Sequence, residues 1–389
     1  MRIAEVSTFS QYSVGKIMRD IKKYIDEETD DVCEIFFARG DDKKEIGINK
    51  VGNDFLIKVN ALLARIFDND GFCLPAITNT LIKRLKTFNP DVIHLHCLHG
   101  YYLNVDKLFK YLQDNPQIKV IWTMHDAWAF TGHCCYFSKA DCHRWETQCY
   151  KCPLKNEYPI SRVFDNSKQN YLKKKRIFTS LPEDRLNIVT PSQWLGDLIG
   201  KSYLNKYKIT TIHNGINTDI FNTEPSNELI DLPDKKIILG VASVWDSRKG
   251  LDTFLELSKV ISDDWCIVLI GKLTKSVDFP NNVIHIERTS NQSVLKKYYQ
   301  SASVFFNPTQ DEVFGMVNVE AQVCGVKVLS FDTGGSKETN CGNLYLVNSS
   351  NVEDIAKQIE AISEYQLNSI DLQKINKRTM AKEYYNIIL

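Results

Sequence analysis

The chain has 389 residues, of which 43% are hydrophobic and 25% are charged, a composition typical of a soluble globular protein long enough for two domains. The overall net charge is zero, but residues 1–211 carry +6 (31 Lys and Arg against 25 Asp and Glu) and residues 212–389 carry −6 (17 against 23). With no nucleic-acid-binding motif, no run of 18 apolar residues and no apolar or basic leader, we expect a cytosolic protein that binds no nucleic acid.

Short apolar runs alternate with helical patterns, which predicts parallel β-strands covered by helices. In the first half the runs lie at Arg2–Ser7, Val32–Phe37, Val92–Leu95, Val120–Met124 and Asn187–Thr190. The pattern then restarts at Lys236–Ala242, Cys266–Ile270, Val283–Ile286, Val304–Asn307 and Val326–Ser330. Two successive sets of this kind predict an α/β protein with two doubly wound domains.

The turn signal Asn214-Gly215 marks the boundary between these sets. We therefore assign residues 1–211 to the first domain and 212–370 to the second. The remaining residues, 371–389, predict an amphipathic helix whose apolar positions are Ile375, Met380, Tyr384, Ile387 and Ile388.

Imidazoles follow two strands of the first domain, at the edge where doubly wound sheets bind ligands. His125 and Asp126 come directly after the run that ends at Met124, and His96 and His99 follow Leu95. His125 is a candidate for a ligand contact, with a structural histidine bonded to Asp126 as the alternative. His96 and His99 could line an acceptor site or serve the fold.

Cysteines are concentrated in a predicted insert at about 133–153 that begins with His133. They are Cys134, Cys135, Cys142, Cys149 and Cys152. The Cys149-x-x-Cys152 spacing suits a metal, and Cys134 and Cys142 could complete four thiolates around a structural zinc. Reduced packing cysteines and disulfides remain alternatives, although a cytosol keeps thiols reduced.

The basic run Lys173–Arg176 is flanked by apolar residues, so it could contact an anionic membrane surface or form the solvated face of a helix. Asp68-Asn69-Asp70 has the form of a metal-binding Asp-x-Asp motif, but it falls in a predicted loop of the first domain and is better explained by chance.

In the second domain, Arg248 and Lys249 lie between a predicted strand and a helix that begins near Leu251. Two cations at such a turn can pair with a diphosphate. Further on, Glu312 and Glu320 lie on either side of Phe314-Gly315, and a helix is predicted from Met316. A helix N-terminus suits a phosphate, and a carboxylate one turn further in can accept hydrogen bonds from a ribose diol.

The spacing from Glu312 to Glu320, with Phe314-Gly315 between them and Gly334-Gly335 beyond, resembles the donor motif of retaining family 4 glycosyltransferases. A cysteine-bearing insert after the His-Asp tract is similar to that of the bacterial exopolysaccharide and capsule subgroup. The resemblance implies the GT-B fold: two facing Rossmann-like domains, with a C-terminal helix that crosses back to the first.

The resemblance also implies residue roles. Glu312 would hold the donor hexose and Glu320 the ribose, with His125 against the reacting centre. The family usually has an Arg five residues before Lys249, where this chain has Val244, so that role passes to Arg248. The implied donor site is completed by Phe314, Gly315, Met316 and Gly15, the last in a glycine loop that opens a helix at about Lys16.

The implied activity is transfer of a hexose, with retention of configuration, from a nucleoside diphosphate sugar to a saccharide or lipid-linked saccharide acceptor. A UDP-sugar is favoured, and catalysis should need no metal. His125, Glu312 and Lys249 are the expected catalytic residues, and His96, His99 and Asp126 the acceptor-side candidates. The alternatives are a nucleotide-sugar 2-epimerase of the same fold and a non-catalytic scaffold that binds sugar nucleotides.

Overall fold

The computed structural model describes residues 1–41, 45–289 and 291–389 and divides the chain into two compact units. The first unit comprises residues 1–213 together with 378–389, and the second comprises 214–377. The sequence predicts the first boundary after residue 211 and the return at residue 371. Both units are α/β, and the predicted fold class is confirmed.

The first unit is built on a seven-stranded parallel sheet with the order β3-β2-β1-β4-β5-β6-β7. Its strands are β1 (Arg2–Phe9), β2 (Val32–Arg39), β3 (Ile48–Lys50), β4 (Val92–Leu95), β5 (Lys119–Thr123), β6 (Leu186–Thr190) and β7 (Lys208–Thr211). The central strands β1 and β4 are buried along nearly their whole length, as expected when helices cover both faces of a parallel sheet.

Among the described residues of this unit, six α-helices connect the strands: α1 (Tyr12–Glu28), α2 (Asp54–Phe67), α3 (Ala76–Phe88), α4 (Val105–Asp114), α5 (Ser167–Phe178) and α6 (Gln193–Gly200). Side chains cap three of them where the sequence offers a capping residue. Asn53 accepts a hydrogen bond from the Leu56 amide at α2, Asn104 from Lys107 at α4, and Ser192 from Leu195 at α6.

The second unit is built on a six-stranded parallel sheet with the order β10-β9-β8-β11-β12-β13. Its strands are β8 (Lys236–Trp245), β9 (Trp265–Leu273), β10 (Val283–Ile286), β11 (Val304–Asn307), β12 (Lys327–Phe331) and β13 (Leu344–Val347). Its helices are α7 (Leu251–Leu257), α8 (Gln292–Ser301), α9 (Met316–Val323) and α10 (Val352–Ser363). The order reverses between β8 and β11, so ligands are expected at the carboxyl ends of these strands.

Strands occupy all ten predicted positions, with ends within three residues of the prediction. The sequence prediction missed β3, β7 and β13. All three lie at sheet edges and are short. Strands β3 and β7 are mostly polar, whereas β13 is apolar but only four residues long.

The last helix, α11 (Lys377–Ile388), is shorter than the predicted 371–389 because residues 371–376 form turns that remain with the second unit. Its buried side chains, Met380, Tyr384 and Ile388, join the apolar core of the first unit. Each such burial is worth about 1.5–3 kcal/mol. Among the helices described, none is long and apolar enough to cross a membrane.

Candidate active site

The predicted diphosphate site lies in the turn between β8 and α7. The Asp246 carboxylate accepts a hydrogen bond of 2.9 Å from the Lys249 amide and so fixes the turn. Gly250 follows with a φ of +79°, and a Cβ there would lie 2.5 Å from the Pro308 side chain. The turn therefore requires glycine at 250, and the two cations stand immediately before it.

Lys249 and Glu312 are brought together by the fold. The Lys249 Nζ lies 2.8 Å from Glu312 Oε2, and the two side chains are 23% and 16% exposed. Arg248 donates a 3.3 Å hydrogen bond to the Asp311 carbonyl beside them. Burial raises the pKa of Glu312, but the Lys249 and Arg248 charges outweigh it, and the net pKa is lowered. Glu312 is therefore a carboxylate at neutral pH.

Helix α9 begins at Met316, where the sequence predicts it. Gly315 precedes it with a φ of +79°, and Phe314 is buried in the apolar core of the unit. The amide groups at a helix N-terminus lack intrahelical partners and attract anions. Glu312 and the start of α9 thus lie within one short stretch of backbone.

Gly334 and Gly335 hold the backbone of Glu312. The Gly335 amide donates a 2.9 Å hydrogen bond to the Glu312 carbonyl. Gly334 has a φ of +57°, and a Cβ there would lie 1.9 Å from that same carbonyl oxygen. Gly334 is therefore required for the close approach of this loop to Glu312, and Gly335 contributes its backbone amide.

Glu320 lies one turn into α9 and is half-buried. Its Oε2 accepts a 3.0 Å hydrogen bond from the hydroxyl of Tyr299, which is fully buried. Burial and the neighbouring Glu320 charge raise the pKa of Tyr299, so the phenol keeps its proton and remains a donor. Sequence reasoning did not identify Tyr299, because a tyrosine in a helix predicts no carboxylate partner.

In the first unit, buried groups are linked in a row that begins at Glu5 in β1. Glu5 Oε2 lies 2.7 Å from His96 Nε2, and His96 Nδ1 lies 3.0 Å from His125 Nε2. The other oxygen of Glu5 lies 2.9 Å from His94 Nδ1. A carboxylate inside an otherwise apolar parallel strand needs partners, so Glu5 itself was the overlooked signal in the sequence.

This row fixes the proton positions. Burial raises the pKa of Glu5, but His94 and His96 overcome it and lower the pKa to about 2, so Glu5 accepts. His96 then donates from Nε2 and accepts at Nδ1 from His125 Nε2. Burial lowers the pKa of His96 to about 4 and that of His125 well below its ordinary value. His125 is therefore neutral, with Nδ1 as its acceptor nitrogen.

His96 is 1% exposed, so it supports His125 and does not line an acceptor site. The partner of Asp126 is His99, at 2.8 Å, and not His125. Burial lowers the pKa of His99, but the Asp126 charge overcomes this and raises it, which favours an imidazolium paired with a carboxylate. The other His99 nitrogen lies 3.0 Å from the Tyr158 hydroxyl.

Two groups of described residues bring three metal-ligating atoms within 4.8 Å of one another: Glu5 with His94 and His96, and Cys97 with His99 and Asp126. In the first group every ring nitrogen and both carboxylate oxygens already have hydrogen-bond partners. In the second group both His99 nitrogens are hydrogen-bonded. Both groups are thus satisfied by hydrogen bonds.

Gly15 does not precede α1 as the sequence predicts, because the helix already begins at Tyr12. A Cβ at Gly15 would lie 2.3 Å from the Ser10 carbonyl carbon, so close packing requires this glycine.

Asp68 and Asp70 are both buried. The Asp68 carboxylate accepts a hydrogen bond from the Asn166 amide. The Asp70 carboxylate accepts hydrogen bonds from the backbone amides of Gly71, Gly100 and Tyr101. They therefore serve the fold.

The basic run in α5 does not form one exposed surface. Lys174 is buried; its Nζ donates a 2.8 Å hydrogen bond to the Trp128 carbonyl and lies 3.5 Å above the Trp128 ring centre. The expectation of four surface cations is therefore wrong, because the helix turns its middle lysine inward. Lys173, Lys175 and Arg176 are exposed.

Both halves of the chain match glycosyltransferase family models. Residues 33–220 match the model described as Glycosyltransferase Family 4, and residues 223–383 match the one described as Glycosyl transferases group 1. A relative in Escherichia coli K12, named as a colanic acid biosynthesis glycosyl transferase, WcaC, is 26% identical over 292 residues. The match covers 72% of this chain and 68% of the relative.

Solved structures share the fold across the whole chain. The crystal structure of a glycosyltransferase from Rickettsia africae superposes with a TM-score of 0.65 at 16% sequence identity. The match covers 99% of this chain and 97% of the Rickettsia chain. The Anabaena protein HepE, solved in complex with UDP-glucose, has a TM-score of 0.61 at 12% identity and covers 100% and 95%. At these identities the similarity establishes the GT-B fold alone.

Proposed function

Because this chain belongs to the family 4 and group 1 glycosyltransferases, we propose that it moves a hexose from a UDP-sugar to a saccharide acceptor with retention of configuration. The observation that carries this proposal is the Lys249–Glu312 pair, 2.8 Å apart and just ahead of the N-terminus of α9. A cation, a polyol-binding carboxylate and a phosphate-binding helix end are the three groups that a sugar nucleotide requires.

In the proposed donor site, the diphosphate binds Arg248, Lys249 and the first amides of α9. The Glu312 carboxylate accepts hydrogen bonds from the hexose hydroxyls. Glu320 accepts from the ribose, with one of its oxygens held by Tyr299. The charges on the diphosphate are met by side chains and a helix terminus, so this step needs no divalent cation.

The proposed chemistry is a front-face displacement. The bond between the anomeric carbon and the diphosphate oxygen breaks while the acceptor oxygen bonds to the same face of that carbon. The acceptor proton passes to the departing diphosphate oxygen. Neutral His125 accepts a hydrogen bond at Nδ1 from a hydroxyl of the hexose and so orients the sugar ring. The protein thus contributes position and charge stabilisation.

The proposed acceptor is a saccharide of a surface polysaccharide, free or lipid-linked. The support is the E. coli relative named for colanic acid biosynthesis. The acceptor groups would lie on the first unit, with the His99–Asp126 pair among them. The exposed residues Lys173, Lys175 and Arg176 could hold this unit against an anionic membrane that carries a lipid-linked acceptor.

A thermal-shift screen of UDP-, GDP- and ADP-sugars tests the donor. A ligand at 100 times its dissociation constant stabilises the fold by about 2.7 kcal/mol. Calorimetry should then show that Glu320→Ala binds the nucleotide about 10- to 150-fold more weakly, because charged hydrogen bonds of about 1.5–3 kcal/mol are lost. Glu360→Ala, an exposed carboxylate on α10, is the matched control.

Product analysis separates the alternatives. A transferase releases UDP in proportion to the saccharide it extends, whereas a 2-epimerase interconverts two UDP-sugars without an acceptor. A scaffold would bind the nucleotide and turn over neither. Unchanged nucleotide affinity in a folded Glu320→Ala variant would contradict the donor assignment.

A further inference from the structure

A long irregular segment, residues 124–166, separates β5 from α5. In this fully described segment the regular structure consists of two short 3₁₀ helices, Ser138–Ala140 and Arg144–Glu146. Connections of this length without their own secondary structure are uncommon inside a compact domain. The segment therefore needs some other source of order.

Part of that order is aromatic packing. The Trp145 ring lies 5.1 Å from the Phe130 ring and 5.2 Å from the Phe137 ring, and all three residues are buried. The segment also returns to its own start, because the Ala127 amide donates a 2.9 Å hydrogen bond to the Cys135 carbonyl. What fixes this part of the chain therefore also fixes the tract that carries His125.

A small cavity lies inside the segment. Its volume is about 10 Å³, close to the size that holds a single water molecule or ion. Four cysteines line it: Cys134, Cys142, Cys149 and Cys152. The fifth cysteine of the cluster, Cys135, is buried but does not line the cavity.

One of the sulfur atoms that line this cavity already accepts a backbone hydrogen bond. The Gly132 amide donates a 3.2 Å hydrogen bond to Cys149 Sγ. Backbone amides that point at sulfur stabilise negative charge on it.

Two buried polar atoms of the cavity lining have no hydrogen-bond partner: His133 Nε2 and Trp145 Nε1. His133 is 2% exposed, and its other nitrogen, Nδ1, is bonded to Asp68. An unpartnered nitrogen costs free energy when it is buried in apolar surroundings. Negatively charged sulfurs beside these atoms would supply the missing partners.

We propose that Cys134, Cys142, Cys149 and Cys152 bind one structural zinc ion, which fixes the segment behind His125. Four thiolates form the tetrahedral donor set that zinc prefers in closed structural sites. All eleven cysteines of the chain are free thiols, so disulfides do not compete for these four. The proposal does not depend on the sugar-transfer reaction.

The four sulfurs are further apart than in a filled zinc site. No three of them lie within 4.8 Å of one another, because among the described residues only the two histidine groups described above meet this criterion. Zinc holds each sulfur at about 2.3 Å, so binding would draw the four cysteines inward. Metal should therefore tighten the segment as well as occupy it.

The test is elemental analysis of the full chain, purified in a reducing buffer without added metal. We expect about one zinc per chain, and Co²⁺ in its place should give the absorption spectrum of tetrahedral cobalt bound by thiolates. Cys149→Ser and the partly exposed Cys142→Ser should each lower the zinc content. Cys135→Ser is the matched control and should keep it.

Limited proteolysis provides a readout separate from metal content. Removal of zinc should make cleavage within residues 133–153 faster, while the second unit keeps its cleavage rate. A folded wild-type protein that contains no zinc and gives no thiolate–cobalt spectrum would overturn the proposal. So would zinc content that is lost in Cys135→Ser but retained in Cys142→Ser and Cys149→Ser.

Discussion

Gly334→Ala tests whether the glycine pair sets the position of Glu312. The new methyl carbon would lie 1.9 Å from the Glu312 carbonyl oxygen, whereas an ordinary contact is at least 3.4 Å. The backbone segments that carry Gly334 and Glu312 must therefore separate by about 1.5 Å. A 1 Å misplacement of a catalytic group can cost about 100-fold in rate. We expect kcat/KM to fall by about that factor.

The free energy of unfolding should change only modestly in Gly334→Ala. Gly334 has a φ of +57°, and an alanine in that conformation costs about 1–2 kcal/mol. For a unit of this size, each kcal/mol lowers the Tm by about 2–4 °C. The assay is UDP calorimetry with turnover and a thermal scan. Gly200→Ala, where a Cβ meets nothing within 4 Å, is the control.

A folded Gly334→Ala variant that retains kcat/KM within about twofold of the wild type would refute this role of Gly334. An equal loss of activity in Gly200→Ala would also refute it, because the loss would then reflect glycine replacement in general.

Three further outcomes are expected. Lys249→Ala should lose most of its turnover, whereas EDTA should leave wild-type turnover intact as long as the fold is unchanged, because in the proposed donor site Lys249 and not a divalent ion binds the diphosphate. The first unit should lose stability on acidification, since His96 has a folded pKa of about 4 against 6.5, and Glu5 about 2 against 4.5. The wild-type protein should co-sediment with anionic vesicles at low salt, and the Lys175→Glu/Arg176→Glu variant should co-sediment with them less.

A specific experimental result would contradict each of these three expectations. Turnover that stops in EDTA and returns with Mg²⁺ or Mn²⁺ would contradict the metal-free donor site. In the acid experiment the native state binds fewer protons than the unfolded chain, so stability must fall from pH 6.5 through 4 and then towards 2; a flat profile would contradict the pKa shifts. Wild-type protein that ignores anionic vesicles at low salt would remove the membrane proposal.

The sequence predicted the central strands because both faces of a covered parallel sheet are apolar. Val92–Leu95 and Val304–Asn307 are buried at every position and were found at their observed bounds. Short edge strands such as Ile48–Lys50 lack that pattern. The C-terminal helix was predicted to begin six residues too early, because nothing in 371–376 marks the turns that precede Lys377.

In the candidate site, local structure could be predicted where it depends on neighbouring residues. The residues from Glu312 to Glu320 lie in one turn and helix, so the sequence predicted where both carboxylates lie relative to the start of α9, while their roles rest on the resemblance to the family motif. Partners distant in sequence could not be found in this way: His96 and Glu5 are separated by 91 positions, and His133 and Asp68 by 65. Such pairs depend on strand order, which the sequence does not state.

The position of α11 has a consequence for synthesis of the chain on the ribosome. The core of the first unit includes Met380, Tyr384 and Ile388, yet residues 214–377 are made before them. At about 5–20 residues per second, that interval lasts roughly 8–33 s. During it the nascent first unit exposes the apolar surface that α11 later covers, so the second unit, although made later, is the first to have all of its residues available.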